Sequence, residues 1–278
     1  MELSVRLSVG IALILIAAST VFLRELSRAP DGRLHVHVLD IGQGDSTLLV
    51  SPSGKHIVID GGPDLSALEH LGRLLPVSDR RIELLVLTHP DLDHIASFPE
   101  IVRRYDIGGI LLTGIQSDAP RYRALLEVME ERDVSVLLAD PARDIVFEDG
   151  LILDIAWPPA DTFGKTPKQP NDTSIVLRAF FGSASLLFTG DIEEEAEREL
   201  LASGAPLEAD ILKVGHHGSR TSSSTGFLLA VRPELAIVSA GRDNSFGHPH
   251  PVVMERFQNL EISVRATNLE GTVSLVFP

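Results

Sequence analysis

The chain has 278 residues, of which 44% are hydrophobic and 23% charged, a composition typical of one large globular domain or two small ones. This composition excludes collagen, coiled coils and long disordered chains. The absence of cysteine excludes disulfide scaffolds, thiolate metal sites and cysteine nucleophiles, so any metal site must use nitrogen and oxygen ligands. The net charge of −15 is the wrong sign for holding nucleic acid mainly by long-range attraction, so a polyanionic substrate would need metal ions or a local basic strip.

An apolar run near the N-terminus, Leu7 to Leu23, lies between Arg6 and the charged residues that begin at Arg24. At about 1.5 Å per residue, this run is near the lower limit for crossing a hydrocarbon core of ~30 Å. The charged start and the small residues 17–19 are typical of a cleaved signal peptide, whereas the length and the charges that follow favour an uncleaved membrane anchor. With either, we expect residues 1–32 to form this segment plus a linker. The body, residues 33–278, is then expected outside the cytoplasm, anchored to the membrane or secreted, in a compartment where a chain without cysteine is insensitive to oxidation.

From Arg33 onward, short strands alternate with helices. In the first half, the patterns predict strands at 33–40, 46–50, 56–59, 83–88, 109–113 and 134–138, and helices at 65–75, 98–105 and 122–132. In the second half, they predict strands at 151–156, 175–179, 186–189, 211–214, 235–239, 262–266 and 273–277, and helices at 193–201, 227–231 and 252–260. Proline and glycine bar regular structure in the polar loop 161–172. Two halves that each run from a strand meander to strands and helices predict an α/β fold, a four-layer αββα sandwich.

Six of the ten histidines lie in three short windows, and the strongest window is LTHPDLDH at 87–94, after an apolar strand. Its four potential ligands are His89, Asp91, Asp93 and His94. A tight turn after a rigid strand can point such a set at two adjacent cations. The alternative is a polar turn that caps the next helix with Asp93, although capping needs only one aspartate.

Two further strand ends carry aspartate beside glycine, Asp60 in IVIDGG and Asp191 in LFTGD. Alone, each is more typical of a plain turn, although Asp191 is suited to bridging two metal ions. The third strand end, KVGHHGS, carries His216 and His217, and adjacent buried histidines are costly unless they are ligated or hydrogen-bonded.

The remaining histidines carry weaker signals. In GHPHP, at 247–251, two prolines stiffen the chain, and a functional and a structural role are equally open for its histidines. We expect four others to be packing or surface residues: His35, His37, His56 and His70.

In this order, Asp-Gly-Gly, His-x-Asp-x-Asp-His, Thr-Gly-Asp and a late histidine resemble the metallo-β-lactamase superfamily. A closer resemblance is to the extracytoplasmic domain of ComEC-type DNA-internalisation competence proteins. It is carried by VLDIGQGDSTLL (38–49), NDTS (171–174), KVGHHGS, GHPHP and TNLEGTV (267–273). The similarity runs from about Arg33 to the end, and it implies a metallo-β-lactamase-like hydrolase domain over residues 33–278.

The resemblance also implies roles for individual residues. The implied metal ligands are His89, Asp91, Asp93, His94, Asp191 and one of His216 or His217. The implied supporting residues are Asp45 and Asp60. No histidine lies between His94 and His216, so the superfamily's middle histidine ligand is missing, and Asn171, Asp172 or solvent must complete one metal's shell. ComEC-type proteins also carry a many-helix membrane channel, whereas this chain has one apolar segment.

The implied ligand set predicts two divalent cations that share Asp191 and lower the pKa of a water, so that hydroxide attacks phosphorus. Because Asp91 stands where the superfamily has a histidine, the affinity of the site for Mn²⁺ or Mg²⁺ is expected to increase relative to that for Zn²⁺. The histidines of the set remain suitable ligands for Zn²⁺. Asp93 is expected to be needed for metal binding and catalysis together, and His248 is a candidate proton donor to the leaving group. Ser219 and Arg220 are candidates for binding a phosphate.

Three functions remain open at this point. The first is a metal-dependent phosphodiesterase or nuclease that acts on DNA outside the cytoplasmic membrane. The second is a metallo-hydrolase of the same fold acting on an ester or amide, and the third is a non-catalytic accessory module with an impaired metal site. The expected partners are nucleic acid or another phosphodiester and, if the N-terminal segment is uncleaved, the membrane. No protein partner can be inferred.

Overall fold

The computed structural model describes residues 2–278, with side chains from Val9 onward. The helices are α1 (Glu2–Leu26), α2 (Ser66–Leu74), α3 (Leu92–Ile95), α4 (Phe98–Arg104), α5 (Pro120–Glu131), α6 (Glu194–Ser203), α7 (Thr225–Val231), α8 (Pro251–Asn259) and α9 (Thr267–Glu270). The first eight strands are β1 (Leu34–Val38), β2 (Thr47–Val50), β3 (His56–Ile59), β4 (Arg81–Ile82), β5 (Leu84–Val86), β6 (Asp106–Ile107), β7 (Ile110–Leu112) and β8 (Val136–Leu138). The last eight are β9 (Ile145–Val146), β10 (Ile152–Trp157), β11 (Val176–Phe181), β12 (Ala184–Phe188), β13 (Ile211–Lys213), β14 (Leu235–Val238), β15 (Ser263–Ala266) and β16 (Val273–Phe277).

Two seven-stranded sheets form the body. The first has the order β16-β1-β2-β3-β5-β7-β8 and the second β15-β14-β13-β12-β11-β10-β9. In each sheet one run is antiparallel, as from β16 to β3 and from β12 to β9, and the other run is parallel. The parallel runs matter for the site, because the carboxyl ends of parallel strands meet at the same edge of a sheet.

The hydrophobic core has three layers. Residues of both sheets, such as Val36, Ile57 and Leu177, pack together in the middle. A second layer joins the outer face of one sheet to α6, α7 and α8, and a third joins the outer face of the other to α2, α4 and α5. Helix, sheet, sheet and helix therefore stack in four layers, which confirms the predicted αββα sandwich.

Several short elements lie outside the predicted set. Strands β4 and β6 pair in a parallel two-stranded ladder, β9 lies at a sheet edge, and α3 and α9 each have four residues. Segments of two to four residues are too short to show a hydrophobic period, which is why periodicity does not predict them. The loop at 161–172 has only 3-10 turns at its two ends, Ala160–Thr162 and Asn171–Thr173.

Among residues 2–278, α1 is the one helix long and apolar enough to cross a membrane, and its stretch Val9–Leu26 has no buried residue. The end of α1 contacts the body, since the Glu25 carboxylate accepts a hydrogen bond from the Val77 amide at 2.9 Å and Arg24 donates to the Arg73 carbonyl at 3.3 Å. Within the part of α1 whose side chains the structure describes, the apolar stretch Val9–Leu26 is not buried against the body.

Candidate metal centre

The predicted ligands meet at one edge of the sandwich, where the parallel strands of both sheets end. Asp60 follows β3, and the segment 88–94 follows β5 in the first sheet. Asp191 follows β12, and the histidine pair at 216–217 follows β13 in the second sheet. The two sheets therefore contribute facing halves of a single cluster.

The centre of the cluster consists of four side chains: Asp93, His94, Asp191 and His217. Each offers one ligand atom, and these four atoms all lie within 4.8 Å of one another. Asp191 Oδ2 lies 3.3 Å from His94 Nε2 and 3.4 Å from His217 Nε2, and Asp93 Oδ2 lies 3.2 Å from His217 Nε2. One carboxylate oxygen of Asp191 thus faces imidazoles from both sheets.

Gly190 permits this placement of Asp191. It has a φ of +50°, and a Cβ at this position would lie 2.7 Å from the Ser174 Cβ and 3.0 Å from the Thr88 Cβ, closer than real side chains approach. Only glycine therefore allows the backbone after β12 to approach Ser174 and Thr88 this closely. The Asp191 amide then donates to Ser174 Oγ at 3.1 Å.

A second group of ligand atoms lies beside the centre. His89 is fully buried, its ring centroid is 4.2 Å from that of His94, and its Nε2 is 3.9 Å from Asp91 Oδ2. His216 Nε2 lies 4.0 Å from Asp191 Oδ2, and His216 Nδ1 lies 3.3 Å from Glu193 Oε1. Asp191 therefore belongs to the central four and also lies beside His216 of this outer group.

Asp60 holds in place the turn at 88–94 that carries the first sheet's ligands. Its carboxylate accepts hydrogen bonds from the Thr88 amide and hydroxyl, both at 2.8 Å, and its Oδ2 lies 2.9 Å from His94 Nδ1. Asp60 has a φ of 60°, a left-handed conformation that is uncommon outside glycine and costs about 1–3 kcal/mol. The imidazole of His94 is therefore oriented by a buried carboxylate, so that its Nε2 points toward Asp191.

On the other side of the site, Nδ1 of His217 hydrogen-bonds to the Ser239 carbonyl, and the carboxylate of Asp45 lies beside it. Asp45 Oδ1 lies 3.2 Å from His217 Nδ1, the Ser239 carbonyl lies 3.1 Å from the same nitrogen, and Asp45 Oδ2 accepts a hydrogen bond from Lys213. All of these side chains are buried. Burial lowers the pKa of Lys213 well below its usual range, and the hydrogen bond from Lys213 satisfies the carboxylate of Asp45, whose burial would otherwise be costly.

Backbone strain marks the histidine pair. His216 and His217 have φ values of 49° and 54°, so both are left-handed, between Gly215 and Gly218. Residues held in such conformations cluster at functional sites, where the surrounding structure maintains them. Successive left-handed residues turn both imidazoles toward Asp191.

The charges of the cluster shift its pKa values in two directions. Burial lowers the pKa of His89 to about 3, so this imidazole is neutral at pH 7. Burial also disfavours the charged form of His94, but the carboxylates of Asp191 and Asp60 outweigh it and raise the His94 pKa well above its usual range. For Asp191, burial acts in the opposite direction, and the attraction of His217 and His94 outweighs it and holds the pKa well below the usual range. The site thus stabilises an aspartate anion beside histidines that hold protons.

The family model of the metallo-β-lactamase superfamily matches residues 39–242, which include every residue of the cluster. The chain belongs to this superfamily. This membership supports a metal-dependent hydrolase, and it agrees with the four-layer fold and with the order of the ligand motifs.

Curated relatives place the chain near ComEC-type competence proteins, which confirms the predicted resemblance. The chain is 30% identical over 255 residues to ComE operon protein 3 of Bacillus subtilis, covering 86% of this chain and 32% of that protein. It is 32% identical to Competence protein ComA of Neisseria gonorrhoeae, with 88% and 32% covered, and 31% identical to Recombination protein 2 of Haemophilus influenzae, with 98% and 32% covered. The chain spans about a third of the length of these relatives.

Solved structures share the fold at low identity. The metallo-β-lactamase fold protein YhfI from Bacillus subtilis superposes with a TM-score of 0.56 at 11% identity, covering 88% of this chain and all of that chain. Zn²⁺-bound PqqB from Methylobacterium extorquens superposes with a TM-score of 0.55 at 12% identity, covering 87% and 99%. These similarities support the architecture of the metallo-β-lactamase fold.

The cluster fits the divalent metal ions that the superfamily implies. The donor set contains neutral or neutralisable imidazoles and carboxylates, which suit Zn²⁺ and Mn²⁺. Within residues 2–278, His89 Nε2 and Asp191 Oδ1 are buried without a hydrogen-bond partner, and an unpaired buried polar atom is costly unless something binds it. The residues present therefore favour a bound cation.

Several predicted site residues lie beside the cluster rather than in it. Asn171 Nδ2 donates to Glu193 Oε1 at 3.1 Å, and Asp172 Oδ1 accepts from the Glu193 amide at 2.9 Å. Both residues therefore hold Glu193 next to His216. That Asn171, Asp172 or solvent completes one metal's shell stays a prediction. Tertiary packing thus also brings the carboxylate of Glu193, which the sequence analysis did not single out, to within 3.3 Å of His216 Nδ1.

The predicted phosphate-binding pair is divided between a turn and the surface. The Ser219 hydroxyl lies 3.0 Å from Thr221 Oγ1, and its side chain is buried. Arg220 is exposed, so its guanidinium lies in solvent. Ser219 thus stabilises its own turn, and the phosphate-binding role stays a prediction for both Ser219 and Arg220.

His248 lies at the rim of the cluster, with its ring centroid 5.8 Å from that of His216. Burial and the neighbouring His216 and His217 lower its pKa to about 4. The imidazole is therefore neutral at pH 7, with one N–H that can hydrogen-bond to a phosphate oxygen. The role of His248 as a proton donor to the leaving group stays a prediction.

Four residues of the site were not singled out from the sequence: Thr88, Ser174, Glu193 and Lys213. Ser174 Oγ lies 3.2 Å from His89 Nδ1 and accepts the Asp191 amide, so it joins the two sheets. Three of the four stand inside motifs already recognised, LTHPDLDH, NDTS and KVGHHGS. Glu193 carries no such signal, because an acidic residue two positions after an aspartate is typical of any helix start.

Proposed function

We propose that this chain is a metal-dependent phosphodiesterase that cleaves DNA outside the cytoplasmic membrane, as part of DNA uptake. The observation that carries the proposal is the cluster of Asp93, His94, Asp191 and His217, in which one carboxylate oxygen faces imidazoles from both sheets. The relatives named as competence and recombination proteins supply the biological setting.

Two groups of residues would hold two divalent ions, with Asp191 shared between them. One group is the central four, and the other contains His89, Asp91, His216 and Asp191. Divalent ions bound there would lower the pKa of a water molecule toward neutral pH. They would also neutralise charge on phosphate oxygens, as Mn²⁺, Mg²⁺ and Zn²⁺ do in two-metal hydrolases. The carboxylates of this chain match Mn²⁺ and Mg²⁺, and its imidazoles match Zn²⁺.

The chain's own residues orient the ligands and handle protons. Asp60 fixes the ring of His94, and the Ser239 carbonyl, with Asp45 beside it, fixes that of His217, so each ring presents Nε2 to Asp191. Such partners of metal ligands set the tautomer and ring angle. Neutral His248 offers an N–H at the rim, where it can donate a hydrogen bond to a nonbridging phosphate oxygen.

The net charge supports a substrate that is bound through cations rather than through a basic surface. A charge of −15 repels a polyanion at long range, so local positive charge at the metal centre must supply the attraction. This arrangement favours cleavage at one phosphate at a time over tight binding along a strand.

The proposed location rests on α1. An apolar helix without buried residues in Val9–Leu26 is consistent with membrane association, and so are the competence relatives. We propose that α1 anchors the hydrolase domain to the outer side of the cytoplasmic membrane, where incoming DNA is available to it.

The experiment is to purify the full chain in detergent, remove metals, and add Mn²⁺, Mg²⁺ or Zn²⁺ in turn. Cleavage of single-stranded DNA and of bis(p-nitrophenyl) phosphate is then measured. Asp93→Ala is expected to lose metal at the centre and to reduce cleavage of both substrates by more than about 100-fold, because it removes a ligand of the central group.

His35→Ala is the matched control. His35 lies on β1, away from the cluster, and pairs with Asp31, so the activity of this variant is expected to stay unchanged. Absence of cleavage with two bound metals per chain would indicate a hydrolase of esters or amides. Absence of bound metal would indicate an accessory module. Full activity in Asp93→Ala would contradict the site.

A further inference from the structure

A large apolar side chain is exposed at the rim of the metal centre. Phe246 is 66% exposed. Its ring stacks on that of His248, with centroids 5.7 Å apart and planes at 26°. The ring of His248 lies 5.8 Å from that of His216 and 6.5 Å from that of His217. Aromatic surface therefore continues from the metal ligands outward to solvent.

The loop that carries Phe246 is held firmly at both ends. Asn244 Nδ2 donates to the carbonyls of Gly241 and His248, at 2.8 Å and 2.7 Å, and Asn244 Oδ1 accepts from the His248 amide at 2.9 Å. An amide that closes a loop with three hydrogen bonds restricts its conformations before any ligand binds. The backbone that carries the exposed ring is thus restrained, and the ring itself rests on that of His248.

The same loop is attached to the turn that carries the histidine ligands. A Cβ at Gly218 would lie 2.8 Å from the Pro249 Cβ, so the two backbones touch closely. The His250 amide also donates to the Gly218 carbonyl at 2.8 Å. The distance between the exposed ring and the metal ligands is therefore set by direct packing.

We propose that Phe246 is a stacking platform for the nucleobase next to the phosphodiester held at the metal centre. This proposal rests on the proposed function and names its substrate class as single-stranded nucleic acid. Every base has a π-face that can stack on an aromatic ring, and in a duplex those faces are already covered by neighbouring bases. An acidic protein, which gains little from long-range attraction, obtains affinity for DNA from such contacts.

The test compares two substrates and three proteins. One oligonucleotide consists of abasic residues with a single 2-aminopurine, and the other consists of abasic residues throughout. The full-length wild type, Phe246→Leu and Phe246→Trp are assayed with Mn²⁺ for kcat/KM on both. Leucine keeps the apolar bulk of the side chain and removes the aromatic face, so a role limited to supporting His248 would be retained.

Wild type and Phe246→Trp are expected to cleave the base-containing oligonucleotide about tenfold better than the abasic one, mainly through a lower KM, because one stacked base contributes about 1–3 kcal/mol. In Phe246→Leu this preference is expected to disappear, while kcat/KM on the abasic oligonucleotide stays unchanged. Phe163→Ala is the control, since Phe163 is 64% exposed and lines a different cavity, at edge strands β8 and β9.

Equal preference in wild type and Phe246→Leu would overturn the stacking proposal, even if both proteins cleave DNA. If no protein cleaves either oligonucleotide, the proposed function fails, and stacking is judged from 2-aminopurine fluorescence of the uncleaved complex. Quenching by wild type that Phe246→Leu loses would then support the platform, and equal fluorescence with both proteins would overturn it.

Discussion

Asp60 and His94 form a buried pair in which the carboxylate Oδ2 lies 2.9 Å from imidazole Nδ1, while the opposite ring nitrogen faces Asp191. Asp60 is thus not one of the four central ligands, and it influences metal binding through His94. In Asp60→Asn, the amide keeps the size of the side chain and loses its negative charge. We expect metal affinity to fall by about 10–100-fold.

Competition with a chromogenic chelator measures this affinity without any enzyme assay. Asp64→Asn serves as the control, because Asp64 is exposed and caps Ser66 at the start of α2. Unchanged affinity in Asp60→Asn would show that the ring of His94 is oriented by packing alone.

Metal binding is expected to release protons. The pKa of His94 is raised well above the ordinary 6.5, chiefly because Asp191 and Asp60 outweigh the effect of burial, so the metal-free chain holds this proton at pH 7. A metal ion can bind only the deprotonated imidazole. Affinity should therefore continue to rise as the pH increases above 7, rather than level off near 6.5.

Isothermal titration calorimetry in buffers of different ionisation enthalpy measures the number of protons released. Asp60→Asn is expected to release fewer protons, because it removes one of the two carboxylates that raise the pKa of His94. A proton count of zero at pH 7 in the wild type would contradict the charge state of the metal-free cluster.

Lys213 is expected to be important for stability. It is buried and donates to Asp45, which in turn contacts His217. Lys213→Met removes the hydrogen-bond donor to the buried carboxylate of Asp45, and breaking a buried pair in this way costs about 3–5 kcal/mol. Urea unfolding of the full chain in detergent, followed by circular dichroism, measures the loss in free energy of unfolding.

Two further variants check this interpretation. In Lys213→Met with Asp45→Leu, both charges are removed, and much of the stability is expected to return. Lys165→Met removes the exposed partner of Asp161 and is expected to have little effect. A full loss in the double variant would mean that the methionine itself does not fit the site.

The location of the hydrolase domain can be tested with a single cysteine, because the chain contains none. Lys168→Cys places a thiol in the exposed part of the loop before the Asn171–Thr173 turn. The test uses intact cells whose outer membrane or cell wall does not exclude the reagent. A membrane-impermeant maleimide is expected to label this thiol, and the labelled chain is expected in the membrane fraction. Labelling only after lysis would place the domain in the cytoplasm.

Much of the fold follows from local patterns. Alternation of apolar residues predicts the longer strands, such as β1 and β10, and glycine beside aspartate predicts the turns at Asp60 and Asp191. These features depend on residues adjacent in the chain, so they can be recognised without knowledge of long-range contacts. The short strands β4, β6 and β9 depend on neighbours far away in the sequence, and their own residues carry no sufficient signal.

The sequence alone identifies which residues make up the ligand set. It contains the aspartates and the histidine pair, and it lacks the middle histidine. Three-dimensional packing determines how the set is arranged. It places Asp191 between His94 and His217, assigns Glu193 rather than Asn171 to the side of His216, and buries Lys213 against Asp45. These partners come from different strand ends of two sheets. Their contacts depend on how the sheets face each other, and no motif within a few residues encodes that geometry.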